Sequence, residues 1–538
     1  MNLNRKLALK KHHPVTIIIG VLCFLNTIIF AATPKTISIG LESVYKDAKS
    51  IHIASENNLV VGYLEGDYFK EEGSLSTNSI TIARDGEDCF FTGNVYPTLE
   101  AATEAAVSFG NGAVAAYAEI GTYYVYTKNY SEGLLTAPLS PNRMAVYNEN
   151  NELVFVSDSS STPLMLQGTE SGCSFPLTQV GNLGTTRKYR GSIGVVSNAS
   201  GGLTALSIVD LEEYLYGVVP SEMGASWPLE ALKAQAVAAR SIALVQYNRY
   251  LSKGYNLVDT TACQVYKGFS VENPSTNLAV DETKGEVIKY NDQVAEALYF
   301  STSGGTTEDA KYVWGNDVPY LKSVVDSFET EPAQKPWVRT ITLDEISNSL
   351  VKQGINIGDL QGVEITARTP SGRVQLLTFR GTSSSYEVKN ETVRTFFSGT
   401  NEGSLKSRLF SFSSENFIGT LPLATPSTTG STAVSIMSAN DFVQKDINKI
   451  SIMSAAGIED MPENSVLQSA EATQTAGVKT NNDSNMPSEV ALGDLVIYGQ
   501  GYGHGLGMSQ SGAKGMAKAG HNYQDILTYY YNGVTVER

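Results

Sequence analysis

The stretch at residues 217–244, GVVPSEMGASWPLEALKAQAVAARSIAL, holds a carboxylate, Glu222, between Ser221 and Met223, just ahead of an alanine-rich helical run. It lies too far before Pro228 to be an ordinary first-turn acid answering a helix dipole. Its neighbours are uncharged, so partial burial would raise its pKa, which is what a general acid at neutral pH requires. Arg240 lies toward the far end of the helical run, and the segment before Pro228 is long enough to fold back to it. Pairing with Arg240 would lower the pKa and burial would raise it, so spacing alone leaves Glu222 between catalyst and loop acid.

Two further stretches carry polar chemistry. YFSTSGG offers the hydroxyls of Ser301 and Ser303 and a Gly304–Gly305 turn that suits close sugar approach, although such glycines also read as a plain tight turn. In GYGHGLGMSQ, glycines at 501, 503, 505 and 507 flank His504, followed by Ser509 and Gln510 as hydrogen-bonding groups. The pattern is not G-x-G-x-x-G and no P-loop lysine follows, which excludes a nucleotide site. A Ser–His hydrolase would need an orienting acid, and none stands at recognisable spacing.

The elements that must position these groups are legible in outline. Pro228 suits the first position of the alanine-rich helix, Ser226 its cap, and Leu229, Leu232 and Ala236 repeat at helical spacing. Runs such as SITIARD, GTYYVYTKNY, RMAVYN, ELVFVSD, YRGSIGVVS and LTALSIVD read as strands, and YPTLEAATEAAVSF as a helix starting at Pro97 or Thr98. The fold class expected is α+β, a mixed sheet around a central alanine-rich helix preceded by a smaller α+β module. Boundaries fall at 1–32 (export signal or anchor), 33–140 (the small module), 141–185 (a β-rich connection), 186–412 (first part of the main domain), 413–492 (a flexible, low-complexity insertion) and 493–538 (its last part). The insertion is rich in Ser, Thr, Ala and Asn and has too few large apolar groups to offset its ordering entropy.

Composition narrows the function classes. The 538-residue chain has a net charge of −16 and only 17% charged residues, which argues against nucleic acid. Arg5, Lys6, Lys10 and Lys11 precede an apolar run over residues 15–30 and the small pair Ala31 and Ala32, the layout of an export signal or, uncut, a membrane anchor. The membrane is expected to matter only through this segment. Beyond Cys23 the cysteines are Cys89, Cys173 and Cys263; a Cys89–Cys173 disulfide with one free thiol is open to an exported chain.

Several stretches, in order, resemble the SpoIID/LytB family of cell-wall proteins: LEEYLYGVVPSEM, CQVYKG, YFSTSGGTTEDAKYVWG, PYLKSV, LKSRLF, GYGHGLGMSQSGAKGMAKAG and YQDILTYYYNGV, spread from about 186 to 536. The resemblance implies a SpoIID-type domain that cleaves peptidoglycan glycan strands as a lytic transglycosylase, with Glu222 as the catalytic acid. It implies supporting roles for Arg240, Ser301, Ser303, Gly304, Gly305, His504, Ser509 and Gln510, a cell-wall amidase as partner, extracytoplasmic location and a link to sporulation. The alternative it leaves is a non-catalytic, wall-binding amidase enhancer. The module at 33–140 resembles, more weakly, SPOR-like glycan-binding units, and a simple spacer is the other reading. Some family members bind zinc near CQVY through cysteines and a histidine; here Cys263 has no Cys or His near it in sequence, so neither metal nor cofactor is expected.

Overall fold

Strands from both sides of position 140 interleave into two facing sheets. The computed structural model describes residues 34–413 and 489–538, apart from short breaks at 139, 141, 160–162, 164, 183–184, 199–200 and 330–335. Between 414 and 488 it describes only the backbone of three hairpins, Ala433–Ser438 with Asp441–Asp446, Ser451–Ser454 with Gly457–Asp460, and Leu467–Ser469 with Ala472–Gln474. The candidate export segment lies outside the described residues, as does most of the low-complexity stretch. No helix among the described residues is long and apolar enough to cross a membrane.

The fold is α+β. A seven-stranded sheet places Thr36–Gly40 between Leu203–Asp210 and Leu257–Val258, antiparallel to the first and parallel to the second. A ten-stranded sheet joins Ser50–Ala54 and Ser79–Arg84 to Met144–Asn148 and Leu177–Asn182. Alternate residues of these strands turn inward, as period-two patterning requires, and Ile82, Val146 and Phe155 of one sheet meet Leu166 and Val195 of the other around a small apolar void. Helix α1 (Leu99–Phe109) starts at Thr98, whose hydroxyl accepts from the Ala101 N–H. Pairing therefore runs across the boundaries read at 140 and 185, and one continuous core extends from Ile37 to Val534. The reason is physical: neither stretch has enough strands of its own to cover an apolar sheet face. Cys89, Cys173 and Cys263 are free thiols, so no Cys89–Cys173 bridge forms.

A helical layer carries the site. Helix α2 (Leu211–Glu222) is capped by Asp210, which accepts from the Glu212 N–H, and Glu212 and Glu213 occupy its first turn, where the helix dipole favours acids. The segment between Glu222 and Pro228 is expected to be a loop, and residues 223–227 are indeed outside any helix, but Glu222 itself is the last residue of this helix. Pro220 sits in the final turn and the chain leaves through Met223 in an extended conformation. Gly217 permits the helix to pass the ring of Tyr266, which a Cβ would meet at 2.6 Å.

Helix α3 (Leu229–Val245) is buried continuously from Ala234 to Ala243, and packs on α2, on α4 (Pro274–Glu282), on α7 (Gln510–Lys518) and on α8 (Tyr523–Tyr530). Its alanines let four neighbouring helices approach at once. Pro228 is the capping residue itself rather than the first helical one, and no side chain caps this end, so Ser226 does not serve there. Helix α5 (Leu343–Lys352) and α6 (Thr392–Thr395) belong to a separate lobe with its own apolar core, formed by Trp337–Ile341, Leu360–Arg368, Val374–Gly381 and Leu495–Gly499 with Phe396, Phe397 and Phe410. The region read as one domain over 186–412 is thus two lobes, the second interrupting the first.

Candidate active site

Glu222 lines a cleft of about 1000 Å³ together with Tyr299, Phe300, Ser301, Trp314, Tyr502, His504 and Gln510. Its Oε1 accepts a hydrogen bond from the Val265 N–H at 2.8 Å. Burial raises its pKa, against the hydrogen bonds of Val265, Gln510 and Tyr299 and the charge of Lys267. Its place at the C-terminal end of α2, where the dipole disfavours negative charge, acts in the same direction as burial. The Tyr299 hydroxyl has a single proton, shared between Glu222 and the Gln264 amide oxygen 2.9 Å away, and Gln264 in turn donates to the Ala239 carbonyl at 3.1 Å. This chain of side chains fixes the ring beside the carboxyl. Sequence reasoning missed Tyr299, Gln264 and the Val265 amide; CQVY and YFSTSGG contain them, but nothing in their types singled them out.

Other carboxylates on the cleft are engaged. Glu391 faces Arg394 and Arg408, and Glu296 accepts from Gln246 at 2.7 Å. Trp314, 46% exposed, and Tyr502, 57% exposed, present large ring faces to solvent within the same cleft.

The structure separates the remaining candidates. Arg240 does not reach Glu222. It is 1% exposed and makes a bidentate pair with Glu212, Nε at 2.8 Å and Nη2 at 2.6 Å, while Nη1 donates to the Glu286 carbonyl. The fold-back imagined for the pre-helix segment is replaced by two packed helices that bring the start of α2 to the end of α3. Ser301, His504 and Gln510 line the cleft. Ser303, Gly304 and Ser509 lie beneath it instead: the Ser303 and Gly304 N–H groups donate to buried Glu329 at 2.5 and 2.9 Å, and the Ser509 hydroxyl donates to it at 2.6 Å. Gly305 donates to the Ser303 hydroxyl, and both glycines hold positive φ, so they form the turn that wraps this carboxylate. Ser509 also caps α7, placing Gln510 at its first position.

His504 Nδ1 accepts from the Leu506 N–H at 3.0 Å, and burial lowers its pKa to about 4. Cys263 lines the cleft without a second thiol or imidazole beside it, and no three His, Cys, Asp or Glu residues converge on a metal-sized site among the described residues.

Residues 199–290 match the family model described as Stage II sporulation protein, SpoIID. Over those residues the chain is similar to the SpoIID family. The matched range contains α2, α3, α4, Glu222, Arg240 and Val265. Residues 328–421, most of the second lobe, match a domain of unknown function, DUF8618. The chain is 33% identical over 324 residues to the amidase enhancer of Bacillus subtilis strain 168, an alignment covering 60% of this chain and 40% of that protein. It is 29% identical over 344 residues to Stage II sporulation protein D of the same strain, covering 61% of this chain and 74% of that protein, and equally identical to the protein of that name from Bacillus amyloliquefaciens. The chain thus spans well under half the length of the amidase enhancer. The SpoIID match supplies Glu222 and its backbone donor, whereas Tyr299, His504 and Gln510 come from outside it.

Proposed function

We propose that this protein is a peptidoglycan lytic transglycosylase, acting outside the membrane on glycan strands in cell-wall remodelling linked to sporulation. The observation that carries the reading is the position of Glu222: a half-buried carboxyl with a raised pKa and no ion-pair partner among the described residues, on a cleft with exposed aromatic rings. Water-using glycosidases need two carboxyls flanking the bond. Here the second nucleophile is supplied by the sugar. Glu222 protonates the glycosidic oxygen as the bond to C1 of the muramic sugar breaks. The C6 hydroxyl of that sugar bonds to C1, and its proton passes to the Glu222 carboxylate. The acid is regenerated, no water is consumed, and a 1,6-anhydro end remains. Hydrogen bonds from Val265, Gln510 and Tyr299 stabilise the carboxylate between the two proton transfers.

The second reading, a non-catalytic enhancer of a wall amidase, is favoured by the similarity to the B. subtilis amidase enhancer. Incubation of the protein with native and amidase-treated peptidoglycan, followed by mass spectrometry, decides between them. Anhydro-muramyl ends that disappear in Glu222→Gln are the expected result. Retained binding with no released fragment favours the enhancer, and reducing ends without anhydro sugar overturn the transglycosylase step.

A further inference from the structure

The second lobe grips the loops around Glu222 through a polar seam. The Trp337 indole N–H donates to the Gly501 carbonyl at 3.1 Å, the Gly503 N–H to the Lys406 carbonyl at 2.8 Å, and the Gln500 N–H to the Leu409 carbonyl at 2.9 Å. Buried Arg373 donates to the Ser303 carbonyl at 2.8 Å and lies against Gly505, whose Cβ would meet its guanidinium at 3.0 Å. The hydroxyls of Thr369 and Ser371 donate to buried Glu308 at 2.7 and 2.9 Å. These bonds hold the lobe against the loop that carries His504. From there α6 brings Arg394 to the wall of the cleft that Glu222 lines.

Arg394 is set for contact with a ligand. Its Nε donates to Glu391, whose other oxygen faces the Nε of Arg408, a fully buried arginine, at 3.4 Å. The side chain is therefore anchored at its root, yet it is 26% exposed, and its two terminal nitrogens have no hydrogen-bonding partner among the described residues. A guanidinium held at Nε presents its remaining donors as a planar fork suited to paired oxygen acceptors.

We propose that the second lobe is a wall of the polysaccharide cleft and that Arg394 binds the glycan, donating to sugar oxygens from its free face. The proposal rests on the glycan reading of the cleft and assigns a task to residues that the SpoIID match does not cover. The test uses the full chain carrying Glu222→Gln, so that ligand is held without turnover, with purified peptide-free glycan strands as the probe. Adding Arg394→Ala is expected to weaken binding about tenfold or more with an unchanged melting temperature, and Arg394→Lys to recover part of the loss. In the active protein, Arg394→Ala should raise KM while the pH dependence of kcat stays put, a split that a purely structural role would not produce. Affinity within twofold of the parent, with the fold intact, overturns the proposal while leaving the lytic reading untouched. A parent that releases anhydro ends only weakly but still loses glycan on Arg394→Ala supports it, and a parent that binds no glycan overturns both.

Discussion

Helix α2 carries a glutamate at each end. At its start Glu212 meets Arg240 in a bidentate pair, and the first-turn dipole favours its charge. At its end Glu222 meets an amide N–H, a carboxamide and a phenol, none of them cationic, and the dipole opposes its charge. One residue type is paired with a guanidinium at one end and biased toward the protonated form at the other. The contrast teaches that the acid's chemistry is set by which arginine is withheld from it: α3 delivers Arg240 to Glu212, and Glu222 faces the cleft without a charge to pair with.

The largest expected effect is at the unpaired end. Glu222→Gln keeps the shape and removes the proton, and should lower anhydro-end release by about 10²–10⁴-fold, the usual range for a general acid. The same substitution should stabilise the fold at neutral pH. A carboxyl with a raised folded pKa contributes stability that is present at low pH and lost as pH rises through that pKa, so the gain in Gln should grow with pH and be visible in thermal melts. At the paired end the signs reverse: Arg240→Met should destabilise by about 3–5 kcal/mol, because Glu212 is left charged and largely buried. Adding Glu212→Leu should recover much of that loss in urea melts while anhydro-end release per folded molecule stays unchanged. A double variant that folds but loses turnover would break the comparison, since it would place Arg240 in the chemistry.

Much of this layout was open to sequence reading, and the failures have identifiable causes. The alanine run forms the central helix because its small side chains suit a helix packed on all sides. Spacing alone left Glu222 between catalyst and loop acid because it does not mark where α2 ends; the helix runs through Pro220, which removes one backbone donor in the last turn, and stops at Glu222. Ser303, Gly304 and Ser509 were read as facing sugar because their motifs sit in the right stretches, but a carboxylate outside those stretches, Glu329, takes all three. The second lobe was invisible as a unit because its strands come from both sides of residues 414–488, so its core residues are far apart in the chain.

Beneath the cleft a second carboxyl sharpens the same contrast. Burial, with the charge of Glu329 beside it, pushes Asp326 up to about 7, and Tyr530, Ser303 and Ser509 surround it. In the unfolded chain Asp326 ionises in the ordinary carboxylate range, so its proton favours the fold at low pH and that contribution fades as pH rises through about 7. Asp326→Asn should flatten the fall in melting temperature between about pH 4 and 7 and gain on the order of 1 kcal/mol at the upper end. Glu329→Gln should instead destabilise the fold across the pH range, since its amide would set a donor against the Ser303 or Gly304 N–H. A smaller shift is expected from Tyr299→Phe: losing a hydrogen bond that favours the carboxylate should move the alkaline limb of the rate profile to higher pH.

The smallest effect separates Glu222 from the imidazole that faces the same cleft. Burial lowers His504 to about 4, and its Nδ1 is occupied as an acceptor for the Leu506 N–H. The ring is therefore neutral through the working range, with its proton on Nε2, and has no spare basic nitrogen for the C6 hydroxyl. Its stability contribution is present above the unfolded value and lost as pH falls toward about 4, so His504→Gln should make the fold less sensitive to acid. Between pH 5 and 8 the same variant should leave the shape of the rate profile unchanged, whatever it does to the absolute rate through lost packing against Phe300. If the profile instead lost a limb, the histidine would be titrating in the reaction, and a single carboxyl serving both proton transfers would no longer account for the chemistry.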